Sequence, residues 1–478
     1  MSSQQNAAPP AAQYPVVSSN WRGELSGLFR LGWPLIVAQL AQSALFTTDV
    51  IMTGWLGPSY LAAASIATAY LNTFLLAGFG LVGAVAPMVA QARGAGDIKS
   101  VRRTVRQGLW VAIALSAIFI PILLQVRTAF AMLGQNASVT ELAAGYMQVA
   151  AFVFLPGLCI IVIRSFLAAH GKTRPVLIVT LFGVLINAVA NYGFMFGNWG
   201  LPRLELVGAG IATLITNIFM VLALLGYVQW HQKFRRYHVL ARFWKPDWPR
   251  FRAIFRIGTP IGLTLMAEIA LFSAAAVLMG WLGTNEQAAH AVALQCASLA
   301  FMVPLGLSQA TTVRVGLAYG AGSNQGIRLA GWTSLAATMV FMSMTAISFI
   351  LTPQTFVGLF LSPHDPANAT ALGLAAIYLG VAGLFQLVDG GQVIASAALR
   401  GLSDTKMPMI IALLGYWAVG FPVAYVLGFV LEWRGIGIWL GLAAGLASVA
   451  IVLTARFALR ERLGLIKPRS ALQSSLAQ

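Results

Sequence analysis

Three carboxylates stand where the chain offers them no water. Asp49, Glu268 and Asp389 each fall inside a long apolar stretch of this 478-residue sequence. A charged Asp near the centre of a bilayer costs about 2.5–3.5 kcal/mol on insertion scales. Such a group must face a cavity, find a partner or carry a proton. A carboxyl that takes up and releases a proton in a gated cavity is what a proton-coupled carrier needs. Ionised, the same oxygens can ligate a hard cation such as Na+ together with hydroxyl and amide oxygens. The competing reading is a buried acid that merely hydrogen-bonds a neighbouring helix. Asn187 and Asn191 are spaced i, i+4, so both leave one helix face. Thr213 follows in the next apolar run. These three extend a first site around Asp49, or else act as hydrogen-bond glue between helices. Glu268 and Asp389 would form a second site. Gln42 joins the three acids as a candidate substrate contact. Gln39, Asn72, Gln295 and Gln386 are weaker candidates of the same polar kind. Arg314 reads as structural, pairing with an acid or snorkelling to the interface. His290 reads as an interfacial histidine.

No catalytic constellation accompanies them. The sequence has no Gly-x-x-x-x-Gly-Lys-Ser/Thr phosphate loop, no His-Glu-x-x-His and no Cys-x-x-Cys, so no ATPase, zincin or dithiol chemistry is built in. Its two cysteines, Cys159 and Cys296, exclude a disulfide scaffold. No cofactor is expected, and the coupling ion would be H+ or Na+.

The elements that must hold these acids follow from composition. The chain is 59% hydrophobic and only 9% charged, against about 45–50% and about 25% in soluble domains. That pattern excludes a soluble enzyme and a disordered chain alike. The expected class is an all-α integral membrane protein with about twelve transmembrane helices. A span needs about 20 apolar residues. The runs fall at roughly 31–53, 61–92, 108–128, 144–168, 175–197 and 206–230 in the first half. In the second half they fall at roughly 253–283, 290–320, 328–353, 370–400, 406–432 and 434–458. Five segments follow: a disordered tail, 1–25; an N-lobe, 26–230; a basic linker, 231–252; a C-lobe, 253–460; and a C-terminal tail, 461–478. The net charge of +17 comes from 30 basic and 13 acidic residues. Arg127, Arg203 and Arg434 are assigned to loops after odd-numbered spans, and the remaining basic residues to the other side. That asymmetry predicts both termini in the cytoplasm. It also explains the charge without nucleic acid as a partner; the linker reads as an orientation signal lying on anionic lipid.

The two halves repeat. With Pro34 set on Pro260, Gly54-Trp55-Leu56-Gly57 falls on Gly280-Trp281-Leu282-Gly283 without a gap, and Gly94-Ala95-Gly96 falls on Gly320-Ala321-Gly322. Each repeat holds an even number of spans, so the halves share one orientation and are related by an axis along the membrane normal. Two such bundles predict a cleft that rocking exposes to alternate sides, which is carrier architecture. The acids break the symmetry: Asp49 aligns with Ala275, and Glu268 with Gln42.

The residues then resemble a known family. Pro34, Gln42, Thr48-Asp49 and Met52-Thr53-Gly54 in the first span, Pro260, Glu268 and Met279–Gly283 in the seventh, and Ser396–Pro408 after Asp389 are similar to the multidrug and toxic compound extrusion (MATE) family, in its bacterial NorM-like branch. The likeness covers nearly the whole chain after residue 25. It implies a V-shaped pair of six-helix lobes. It also implies a monomeric antiporter of the bacterial inner membrane that exports small-molecule drugs, especially organic cations, against inward Na+ or H+. Asp49 matches the family's first-lobe acid, Asn187, Asn191 and Thr213 resemble its partners, and Glu268 with Asp389 resembles the second-lobe pair. Membrane lipids would be the other partners. The alternatives are a lipid-linked oligosaccharide flippase of the same superfamily, which would carry a more basic cavity, a major-facilitator carrier, a channel, and a lipid-modifying enzyme.

Overall fold

The structure, a computed structural model, describes residues 20–239, 243–361 and 368–466. Among the described residues, twelve helices are long and apolar enough to cross a membrane. They are α1 (Trp21–Gly54), α2 (Pro58–Gly94), α3 (Ile98–Leu124), α4 (Ala137–Ala169), α5 (Arg174–Phe196) and α6 (Glu205–Trp230). In the second half they are α7 (Trp248–Leu282), α8 (Thr284–Gly320), α9 (Asn324–Leu351), α10 (Ala369–Gly401), α11 (Lys406–Val430) and α12 (Arg434–Ala458). Among the described residues there is no strand.

Most ends fall within a few residues of the hydropathy estimate, and the exceptions have polar causes. The expected tail 1–25 is cut short, because α1 starts at Trp21. Asn20 caps it by accepting from the Gly23 amide at 2.8 Å. Residues 1–19 lie outside the described residues, as do 467–478 of the expected C-terminal tail and Asp365. Likewise α3 starts at Ile98, capped by Asp97. These first turns are polar but continue the helix, so a hydropathy window misses them. Two spans are interrupted at prolines. Pro87 cannot donate to Gly83, and α2 breaks at Ala84. Pro156 cannot donate to Phe152, and α4 tightens to 3-10 winding over Ala151–Val153.

Two apolar cores result. The larger is built on α1–α6 and includes Phe130, Phe154, Phe166 and Met147; the other is built on α7–α12 around Trp439, Tyr378, Tyr416 and Phe385. The repeat is visible in a pair of struts. Tyr60 at the start of α2 donates to Glu205 at the start of α6. At the equivalent place Glu286, at the start of α8, accepts from Arg434 of α12 at 2.8 Å and from Tyr378 of α10. Glu205 and Arg434 share a positive φ of 50°. Glu286, expected in an outer loop, is thus buried in the first turn of α8.

The lobes join at the end that carries Trp21 and Ala458, here called the terminal face. Glycines make the junction close. A Cβ on Gly80 of α2 would collide with the Gly262 backbone of α7, and one on Gly94 with Leu317 of α8. Gly306 of α8 lies against Ile36 of α1 in the same way. Gln91 of α2 donates to the Gly401 carbonyl at 2.8 Å and to Ser403 at 2.9 Å. Glu24 of α1 is ion-paired with Arg314 of α8, which gives Arg314 the structural role its position suggested. The linker is anchored as well. Asp247 caps α7 and binds Arg103 of α3 at 2.5 Å, and Arg250 donates to Ser100 and Thr104.

Candidate functional site

In the N-lobe the expected polar residues meet. Asp49 lies on the last two turns of α1, one side of which packs on α5. The i, i+4 spacing on α5 brings Asn187 and Asn191 to that seam, where both are fully buried. Asn191 donates its amide to Asp49 Oδ1 at 2.6 Å and to Asn187 Oδ1 at 3.2 Å. Thr213 of α6 donates to Asp49 Oδ2 at 3.3 Å. Asn217, one turn on, donates to the Thr213 carbonyl at 2.8 Å, which ties Thr213 to its own helix. Tyr146 of α4 is a further electrostatic neighbour of Asp49 and is hydrogen-bonded to Thr68. Two atoms of this cluster stay unsatisfied, Asn187 Nδ2 and Asn191 Oδ1. Each amide thus keeps a partner on its other atom, and the Asn187 side chain also acts on Asp49; an unmet buried amide atom is costly.

In the C-lobe Glu268 and Asp389 also meet. Glu268 of α7 interacts with Tyr416 of α11, Gln392 of α10 and the Arg400 guanidinium. Gln392 donates to the Tyr416 hydroxyl at 2.6 Å. Asp389 sits on α10 one turn before Gln392, with Glu268 as its charged neighbour, and its Oδ1 has no partner. Tyr416 is carried by a π-helical segment, Gly415–Gly420, where Gly420 packs against Gly445 of α12. Such widened turns re-aim one side chain without ending the helix.

The remaining candidates separate. Gln42 is exposed on α1, two turns before Asp49 and on the same face, outside both clusters. Gln386 is buried and donates to the Ala297 carbonyl at 3.0 Å, which is interhelical glue. Asn72 and Gln295 are exposed and stand outside both clusters. His290, in the second turn of α8, is buried in the C-lobe, its ring centroid 5.4 Å from that of Trp439.

Sequence reasoning missed two members of the Glu268 cluster, Arg400 and Tyr416, and one arginine outside both clusters. Arg164 of α4 lies inside its span and donates to Gln39 Oε1 of α1 at 3.1 Å, whereas the charge census had counted it among the basic residues of the terminal side. Arg400, one of the basic residues that the charge asymmetry places on the terminal side, interacts with Glu268. Tyr416 carried no signal beyond being one aromatic residue in a rich span. The arrangement can hold a proton, or a small cation through oxygen donors, at two separate places, one per lobe. The sites differ in surroundings: amides and a hydroxyl around Asp49, a second acid and a guanidinium around Glu268.

Comparison with known proteins follows the same lines. The MatE family model matches residues 34–193 and 260–426, one segment in each half. The chain is 44% identical over 447 residues to a Brucella suis protein named "Probable multidrug resistance protein NorM", covering 93% of this chain and 95% of that one. It is 41% identical over 445 residues to a protein of the same name from Mesorhizobium japonicum, covering 93% and 95%. The crystal structure of a Vibrio cholerae MATE transporter superimposes with a TM-score of 0.86 at 17% identity, covering 94% of this chain and 100% of that one. The chain belongs to the MatE family, and it is a multi-pass membrane transporter rather than an enzyme.

Proposed function

We propose that the chain is a multidrug efflux antiporter of the bacterial inner membrane, exporting organic cations and other amphipathic drugs by alternating access. The basic residues crowded at the terminal face make that face cytoplasmic in this reading. The lobes, joined there through Gly80–Gly262 and Glu24–Arg314, are then closed to the cytoplasm and open outward. The observation that carries the reading is the Asp49 cluster, an acid of α1 whose hydrogen-bond partners come from two other helices, α5 and α6. A cation arriving from outside neutralises Asp49 and weakens the bonds from Asn191 and Thr213, so that α1, α5 and α6 are held together less tightly. The Glu268–Asp389 pair is the second coupling group, or the seat of a cationic drug.

H+ and Na+ would use the site differently. A proton on Asp49 turns a charged acceptor into a neutral carboxyl, which weakens the bond that Asn191 Nδ2 donates. Na+ would instead require the Asn191 amide to turn its unsatisfied Oδ1 inward, giving a carboxylate, two amide oxygens and a hydroxyl as hard donors. The test is ethidium efflux from proteoliposomes with a Na+ gradient or a pH gradient imposed separately. Efflux driven by neither gradient sinks the antiporter reading.

A further inference from the structure

Away from both acid clusters, two cavities that share Leu225 follow one another along the outer side of the N-lobe and together make a groove. The first, about 570 Å3, is lined by aliphatic and aromatic side chains and one thiol, among them Ile113 of α3, Phe152 and Cys159 of α4, and Leu214 and Ile218 of α6. Leu225 closes it toward the terminal face and is also the first residue of a second cavity of about 290 Å3. This one has the opposite character: Gln229, Arg235 and His238 line it where α6 passes into the linker. Lys233, Arg235 and Arg236 make that stretch strongly basic.

The dimensions match a lipid of one leaflet. From Leu214 to Leu225 the helix rises about 16 Å, and half the hydrocarbon core of a bilayer is about 15 Å. Trp230, Trp244 and Trp248 are 84%, 75% and 60% exposed around the polar end. Exposed tryptophans of this kind mark headgroup level. The apolar cavity therefore ends at the depth where acyl chains end, and the basic cavity begins where phosphates begin. We propose that this groove binds one phospholipid with a net negative headgroup from the leaflet at the terminal face. One acyl chain lies between α3, α4 and α6, and the phosphate lies against Arg235 and His238. Bound there, the lipid braces the linker against the N-lobe, since Phe243 of the linker forms part of the groove wall and stacks on Trp110 of α3.

The experiment is native mass spectrometry of the full chain titrated with phosphatidylglycerol or phosphatidylcholine. Wild type should retain one phosphatidylglycerol in preference to phosphatidylcholine. Arg235→Gln with His238→Gln should cut that preference by about fivefold or more, and Arg235→Lys should keep it. Ile218→Trp, which fills the groove, should remove the bound lipid of either headgroup while the melting temperature in detergent stays at the wild-type value. Equal retention of the two lipids by wild type overturns the proposal. So does an unchanged preference in the Arg235/His238 variant, or a bound lipid that survives Ile218→Trp.

Discussion

Asn191 reaches across from α5 to place its amide 2.6 Å from Asp49 on α1, while its own oxygen is left without a partner. The contact ties the two helices together most strongly while Asp49 is a carboxylate. A neutral carboxyl accepts more weakly than a carboxylate, so a proton on Asp49 would weaken this bond.

Asp49→Asn should leave the protein folded and abolish gradient-driven accumulation. One charge crossing 100 mV supplies about 2.3 kcal/mol, so losing its coupling should lower the accumulation ratio by about 50-fold. Ethidium efflux from proteoliposomes reads this directly. Wild-type accumulation by the variant removes Asp49 from the coupling step.

Asn187→Ala and Thr213→Val separate the two ions. If Na+ is ligated beside Asp49, both variants should raise the Na+ concentration for half-maximal efflux by about tenfold per lost oxygen donor, each worth about 1.4 kcal/mol. If the ion is H+, they should leave the pH-driven rate within about twofold of wild type.

Glu268→Gln should impair transport more than Tyr416→Phe. The first removes a charge that faces Asp389 and Arg400, and the second removes one hydroxyl that Gln392 and Glu268 share. Tyr416→Phe should cost about 1–3 kcal/mol of stability by orphaning Gln392. Thermal unfolding in detergent checks the second claim and efflux checks the first.

Gly80→Ala tests the junction at the terminal face. Its new methyl would meet the Gly262 backbone, and overpacking of this kind costs about 1–3 kcal/mol. Drug binding should survive while efflux slows by about tenfold or more, because the closed state becomes expensive. Unchanged efflux would mean this junction does not form during the cycle.

Glu24→Gln removes the negative charge that faces the Arg314 guanidinium, which is 13% exposed, and breaking a buried pair costs about 3–5 kcal/mol. The exchange Glu24→Arg with Arg314→Glu should recover part of the loss. Melting temperatures of the three variants decide the point.

Just beyond α4, His170 is packed against Phe166, Phe234 and Tyr237, at centroid distances of 4.3, 5.4 and 4.7 Å. Burial, with the Arg93 charge next, pushes its pKa down to about 3. The unfolded chain binds a proton at about 6.5 and the folded chain does not. Stability should therefore be fully present above about pH 6.5 and fall as pH drops toward 3, by at most about 1.4 kcal/mol per unit from this group. His170→Phe should flatten that limb between pH 6.5 and 5 in a melting series.

The number of helices, their order and the six-plus-six repeat were determined by the sequence alone, because a 20-residue apolar run and a gapless echo from Pro34 to Gly96 are local facts. So were the three intramembrane acids, since a carboxylate in an apolar run is conspicuous wherever it points. Asn187 and Asn191 were legible as a pair through helical spacing. The company each acid keeps was decided only by the tertiary structure. Arg400 and Tyr416 reach Glu268 across helix interfaces, as Arg164 reaches Gln39, and no spacing along the chain encodes such a contact. Glu24, Glu286 and Asp247 read as loop or end acids because they begin helices, yet packing buries them against Arg314, Arg434 and Arg103. Apolar periodicity reports which residues avoid water; polar partners come from how helices are brought together.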